Sequence, residues 1–180
     1  MPHWPIISTS RLQLRPATIA DLPAIETGLA DPRFPPDLPL ARMQRESTLA
    51  AWLQRITATA PQLWAITVTG SDTCIGTVAL IATQAAETCW LSYWLTPSEW
   101  HQGLAQEAIG ALLTSTAQHL AYKHVIAGVA LNNLPSIRLL EQLEFAQVST
   151  SQTDWAIPEE HILLQRRLSA SVGLRTAQQQ

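Results

Sequence analysis

The chain has 180 residues, 47% hydrophobic and only 14% charged, a composition that suits one globular domain with a full core and excludes an intrinsically disordered chain. A formal net charge of −3 argues against a nucleic-acid partner held by a basic face. Met1-Pro2-His3-Trp4-Pro5 lacks the pattern of a secretion signal and no apolar run reaches bilayer length, so a cytoplasmic protein without a membrane partner is expected.

In chain order, Arg11-Leu-Gln-Leu-Arg15 alternates apolar and polar residues and reads as a strand that Pro16 ends. Thr18 and Asp21 resemble a capping box before an amphipathic helix to about Leu29. Asp31 to Leu40 holds four prolines and reads as a stiff loop. A second helix is predicted over Ala41 to Thr59. Leu63 to Thr69 is a strand, Gly70-Ser71-Asp72 a turn, and Cys74 to Thr83 the next strand, with Gly76 marking a bulge. Thr88 to Leu95 returns antiparallel. Apolar or small residues at 104, 105, 108, 109, 112, 113, 116, 117 and 120 put one face on a helix over Gln102 to Leu120. His124 to Leu131 is a buried strand and Leu134 to Leu143 a helix. Strands follow near Ala146 to Ala156 and His161 to Leu168. The chain from 1 to 168 reads as a single domain, and Ser169 to Gln180 as a polar tail. Cys74 and Cys89 fall in strands and read as buried thiols rather than a disulfide.

The stretch Ser98 to Ala108 organises the rest. A strand that turns through a Gly-containing loop into a helix leaves the first helical N–H groups without partners. Those donors and the positive helix end suit an anion, most often phosphate. Gly103 lets a ligand approach the backbone and Ala105 keeps the first turn narrow. One glycine also suits an ordinary strand-to-helix turn. The helix joining Trp90–Leu95 to His124–Leu131 makes those strands parallel, while short turns make their neighbours antiparallel. The expected fold is α/β (α+β): a mixed, mostly antiparallel sheet with helices on both faces.

Three segments carry a resemblance. Tyr93-Trp94-Leu95-Thr96-Pro97-Ser98-Glu99-Trp100-His101-Gln102-Gly103-Leu104-Ala105-Gln106-Glu107-Ala108 resembles the acetyl-CoA pyrophosphate segment of the GNAT superfamily of N-acyltransferases. Asn133-Leu-Pro-Ser136 and the Leu-rich run to Phe145 resemble the second motif of its Rim-type branch, which acetylates ribosomal-protein N-termini. Ser10 to Pro16 matches that branch's first strand. The resemblance implies a central parallel pair that splays apart, with pantetheine in the gap and paired to backbone near Leu95 and Thr96. It places the pyrophosphate on the N–H groups of His101, Gln102, Gly103, Leu104, Ala105 and Gln106. Asn133 stands where the family hydrogen-bonds pantetheine, though a helix N-cap also suits its position. Ser136 is open between a cofactor role and an ordinary first-turn residue.

Four positions depart from the family pattern. Leu140 replaces a Tyr that protonates the thiolate, and Trp90 replaces a Glu at the head of the Tyr-Trp strand. His101 and Glu144 each replace a Gly. The obvious acid and base are therefore absent, and the catalytic residues are unassigned; water, a loop carboxylate, Ser92 or Tyr93 are the substitutes. Trp94 and Trp100 flank the site, whereas Trp52, Trp64 and Trp90 fit core packing. His119 and His124 lack metal-ligand spacing, and no metal is expected.

The expected activity is transfer of acetyl from acetyl-CoA to a primary amine, by direct attack in a ternary complex, with a protein N-terminal α-amine as the leading acceptor. The alternatives are a small-molecule amine acetyltransferase and a non-catalytic acetyl-CoA-binding module. The sequence leaves monomer and homodimer open.

Overall fold

Alternating strand residues feed two separate cores, one on each face of a single sheet. The computed structural model describes residues 6–59, 63–119, 122–149 and 157–168. In chain order the elements are β1 (Ile7–Ser8), β2 (Leu12–Pro16), α1 (Leu22–Leu29), α2 (Pro39–Arg45), α3 (Leu49–Thr59), β3 (Leu63–Val68) and β4 (Cys74–Ala82). Then come β5 (Thr88–Leu95), α4 (Leu104–His119), β6 (His124–Ala130), α5 (Leu134–Gln142), β7 (Ala146–Val148) and β8 (His161–Arg167). Among the described residues the sheet runs β1-β2-β3-β4-β5-β6-β8-β7. Of these described strands only β5 and β6 pair in parallel; the other neighbours are antiparallel. The mixed sheet with one central parallel pair is therefore as expected.

Trp64 and Ile66 of β3, with Leu91 and Leu95 of β5, pack against Leu104, Ile109 and Leu112 of α4 and Leu140 of α5. Leu63 and Ala65 of β3 point the other way with Trp94, toward Ile25 and Leu29 of α1, Ala41 of α2 and Leu53 of α3. Helices thus cover both faces, and each strand's period of two sorts its side chains between them.

A bulge breaks that period once. Ile66 pairs with Gly76 and Thr67 with Cys74, so Ile75 is the extra residue. Cys74 accordingly joins the core under α1–α3, while Ile75 and Val78 lie on the α4 side. The expected bulge sits one residue before Gly76. Gly76 serves the next requirement: a Cβ there would lie 2.3 Å from the Trp94 carbonyl oxygen and 2.9 Å from Leu95 Cα. Only glycine lets β4 hold β5 this closely, and the bond from Thr96 N–H to Ile75 O, 2.8 Å, extends the pairing past the strand's end.

The single helix expected over Ala41 to Thr59 is two helices that break at Ser47, φ 57°. Thr48 N–H reaches Met43 O at 2.8 Å and Ser47 N–H reaches Gln44 O at 3.1 Å, closing α2. Trp52 N–H then bonds Thr48 O at 3.0 Å to open α3. α2 also begins earlier than expected, at Pro39, which supplies no N–H and suits a helix's first position. β2 ends at Pro16 as expected, and Pro16 itself makes the last pair of the strand, with Trp64. Of the strand expected over Ala146 to Ala156, β7 covers Ala146–Val148, and residues 150–156 lie outside the described ones. The tail from Ser169 lies outside them too.

Candidate active site

The site follows from where β5 and β6 part. Their register pairs are Thr88 with His124, Cys89 with Val125 and Trp90 with Ile126, and there the pairing stops. Beyond that point β5 stays on β4 as far as Leu95, and β6 stays on β8 as far as Ala130. The two half-sheets therefore diverge. Because Thr96 N–H points to β4, alternation turns the N–H and C=O of Tyr93 and the N–H of Leu95 toward the gap. Leu95 O faces the same way but accepts from Trp100 Nε1 at 2.9 Å. Of the two positions expected to pair with a ligand, Thr96 N–H and Leu95 O are thus taken within the protein. Leu95 N–H and the Tyr93 backbone are the groups that face the opening.

β5 runs into the loop through Pro97–Glu99 and Trp100. His101 and Gly103 both adopt left-handed backbone, φ 62° and 73°. Glu107 N–H bonds Gly103 O at 3.0 Å, the first helical bond of α4. The N–H groups of Leu104, Ala105 and Gln106 precede it and have no intrahelical partner. His101, Gln102 and Gly103 are exposed, so this end of α4 opens to solvent. A Cβ on Gly103 would meet nothing nearer than Arg11 Nη2 at 3.7 Å. Space does not demand glycine there; the positive φ does. The Gln102 side chain turns back to Ser98 O and Glu99 Oε2, at 3.2 and 3.3 Å. Donors without helical partners, a helix end and an exposed turn fit a pyrophosphate.

Asn133 is the N-cap of α5: its Oδ1 accepts from Ser136 N–H at 3.3 Å. Ser136 does more than expected. Its Oγ lies 2.5 Å from the Tyr93 hydroxyl, joining α5 to β5 across the divergence. Burial raises the Tyr93 phenol above its ordinary value, while the Ser136 hydrogen bond opposes that shift. The phenol is therefore protonated at neutral pH. Leu140 is wholly buried one helical turn further along α5. The position where the resemblance implies a Tyr is thus core here, and a hydroxyl pair stands one turn nearer the helix start. Ser92 is exposed on the opposite strand face from Tyr93. Trp90 holds the last paired position, and its ring approaches Gly128, 3.7 Å from where a Cβ would be, so the divergence is flanked by an apolar ring.

Trp94 packs on the α1 side, edge-on to Phe34 at 5.8 Å, under Gly28. It belongs to the core, and Trp100 is the tryptophan that borders the loop. Phe34 lies in the proline-rich segment, which lines a cavity of about 390 Å³ with Leu29, Pro36 and Arg45. Burial raises both thiols, Cys74 to about 11 and Cys89 to about 12, so neither is a nucleophile at neutral pH. Sequence reasoning named Tyr93 and Ser136 separately. Their contact spans 43 residues and has no local signal.

Residues 11–146 match the family model described as Acetyltransferase (GNAT) domain. No curated protein matches the chain. Among solved structures, it is similar to a GNAT-family acetyltransferase from Bacillus anthracis, at TM-score 0.71 and 15% identity, covering 91% of this chain and 98% of that one. It is similar to RimL, the ribosomal L7/L12 α-N-protein acetyltransferase, in complex with coenzyme A, at TM-score 0.68, 17% identity and coverage of 92% and 99%. RimJ from Mycobacterium smegmatis, bound to a CoA disulfide, matches at TM-score 0.65 and 19% identity, over 87% of this chain and 81% of its own. At these identities the likeness is one of fold.

Proposed function

Since the chain belongs to the GNAT acetyltransferase family, we propose that it transfers acetyl from acetyl-CoA to a protein N-terminal α-amine. The observation that carries this reading is the divergence of β5 from β6 after Trp90, with β5 leading directly into the loop before α4. A thioester laid along Tyr93 to Leu95 would have its pyrophosphate at the Leu104–Gln106 end. The substrate supplies an acyl carbon activated by a thiol leaving group; the chain supplies position and fixed charge.

Leu95 N–H would stabilise negative charge building on the thioester oxygen. The amine nitrogen forms the new bond to carbon and the carbon–sulfur bond breaks. Ser136 would then give a proton to the departing sulfur and take one from Tyr93, whose phenol is held protonated. Water would carry away the amine's proton and return one to Tyr93. Asn133, fixed as the cap of α5, would orient the pantetheine arm. The two thiols are free and buried, which fits a reducing cytoplasm.

The acceptor follows from the base that is missing. A peptide α-amine, with a pKa of about 7.7–8.0, is neutral in roughly a tenth of molecules at pH 7; lysine, at about 10.4, in fewer than roughly one in a thousand. With Trp90 at the position of the expected carboxylate base, the first is favoured. The test is thiol release from acetyl-CoA with matched peptides at pH 7. Peptides with a free N-terminus should turn over faster than N-blocked peptides offering only lysine. Faster lysine turnover would overturn the acceptor, and no release with any amine would overturn the catalytic reading.

A further inference from the structure

We infer that Arg11 is a positioning residue for acyl-CoA, acting on the loop and first turn of α4 rather than on the phosphates. This rests on the acetyl-CoA reading above. Arg11 lies in the turn between β1 and β2, far from the loop in sequence. Its Nη1 donates to Gln102 O at 2.9 Å, and its Nε and Nη2 donate to Glu107 Oε2 at 2.6 and 2.5 Å. The other oxygen, Glu107 Oε1, accepts from Thr9 Oγ1 at 2.5 Å, Ser10 Oγ at 3.3 Å and Arg11 N–H at 3.1 Å. One short turn thus surrounds one carboxylate.

The arrangement resolves a conflict of charge. The Thr9 hydrogen bond, followed by those from Arg11, holds Glu107 below the usual carboxylate range, so it is ionised at neutral pH. A carboxylate on a helix's first turn favours the helix but repels an anion at the same N–H groups. Arg11 neutralises it on the side toward β2. The second effect is on shape. Gln102 stands between two left-handed residues, and no regular ladder fixes its peptide. With its carbonyl held by Arg11, that peptide has one orientation, and the donors of the loop and first turn are set before a ligand arrives. The guanidinium's five donors form a fork that serves both partners at once, which a lysine could not do.

The test is calorimetric titration with coenzyme A, alongside KM and kcat for acetyl-CoA, in wild type, R11Q, R11K and R11Q/E107Q. R11Q should bind coenzyme A roughly tenfold more weakly, because an unneutralised Glu107 now faces the anion. The loss should appear in KM, with kcat at saturation changed less than about twofold, since positioning of the phosphates is ground-state binding. Adding E107Q should recover roughly threefold, since the repelling charge is gone while the Gln102 contact stays lost. R11K should fall between R11Q and wild type and serves as the reporter should R11Q fail to fold. R11Q at wild-type affinity, or R11K no tighter than R11Q, overturns the proposal. A double variant no tighter than R11Q overturns it in favour of direct contact between Arg11 and phosphate. Wild type that does not bind coenzyme A overturns the reading of the site itself, and this is seen before any substitution is made.

Discussion

Glu144 and His101, the two residues that stand where the resemblance implies glycine, occupy left-handed backbone, with φ of 63° and 62°. At Glu144 the reason is visible: α5 ends with Phe145 N–H on Leu140 O and Glu144 N–H on Glu141 O, both 3.0 Å, a helix stop that needs a left-handed residue. An ion pair with Arg166 at 3.0 Å holds the side chain on the surface. Exposed pairs contribute little, whereas a left-handed non-glycine residue costs about 1 kcal/mol or more. Glu144→Gly should therefore raise stability by roughly 0.5–1 kcal/mol after the added freedom of the unfolded chain is counted, read as a higher urea midpoint. Gly76→Ala should do the reverse and lose more than about 2 kcal/mol, because its Cβ would meet backbone atoms that cannot move aside. An unchanged midpoint would mean that β4 and β5 are not so closely held. In the hydroxyl pair, Tyr93→Phe and Ser136→Ala should each lower kcat by about tenfold, a modest figure because a thiol with a pKa of about 8.5 leaves readily. Equal kcat in both variants and wild type would assign the leaving-group proton to water.

At the scale of elements, the start of α1 is pinned by charge. Arg15 of β2 grips Asp21 through Nη1 and Nη2, at 3.0 and 2.7 Å, and reaches Asp72 in the β3–β4 turn at 2.5 Å. Asp21 is only 4% exposed and also accepts the Thr18 N–H at 2.8 Å, the half of the capping box that the sequence suggested. Burial pushes the Asp21 carboxyl up, but Arg15 and Thr18 together bring it below the usual value. A carboxylate depressed in the folded state adds stability above its unfolded pKa of about 3.9, and that stability disappears as pH falls through the lower folded value. Stability should therefore decline below about pH 4, and Asp21→Asn should flatten that decline while costing about 2 kcal/mol at neutral pH. Urea midpoints at stepped pH check both. The same element shows where sequence reading succeeds. Thr18, Asp21 and the apolar period of α1 are local signals, as are the alternation of β2 and the apolar runs that place β3 to β6. The break at Ser47 was not legible, because serine in a left-handed stop carries no glycine or proline to announce it. The close approach at Gly76, the Tyr93–Ser136 pair and the wrapping of Glu107 by Thr9 to Arg11 depend on which strands the sheet brings together, and no window of sequence contains both partners.

At the scale of the molecule, two half-sheets meet along three register pairs and through the helices above them. A ligand that fills the opening and touches both would stabilise the whole. At a coenzyme A concentration about a hundred times its Kd the gain is about 2.7 kcal/mol, which corresponds to a rise in Tm of roughly 5–10 °C for a chain of this size. A thermal shift below about 1 °C at that concentration would mean that coenzyme A does not bind the folded chain in preference to the unfolded one.

The parting of β5 and β6 also has a signature in time. Amides locked in a ladder exchange their protons with solvent only when the sheet opens, while those facing an opening exchange early. Tyr93 and Leu95 lie in the second half of β5, one of the two central strands among the described residues, yet their N–H groups turn away from β4. In deuterated water they should label far sooner than Ser92 and Trp94, giving one strand a fast and slow rhythm of period two. Bound coenzyme A should erase that rhythm at Tyr93 and Leu95 alone, a residue-by-residue record of where the substrate lies.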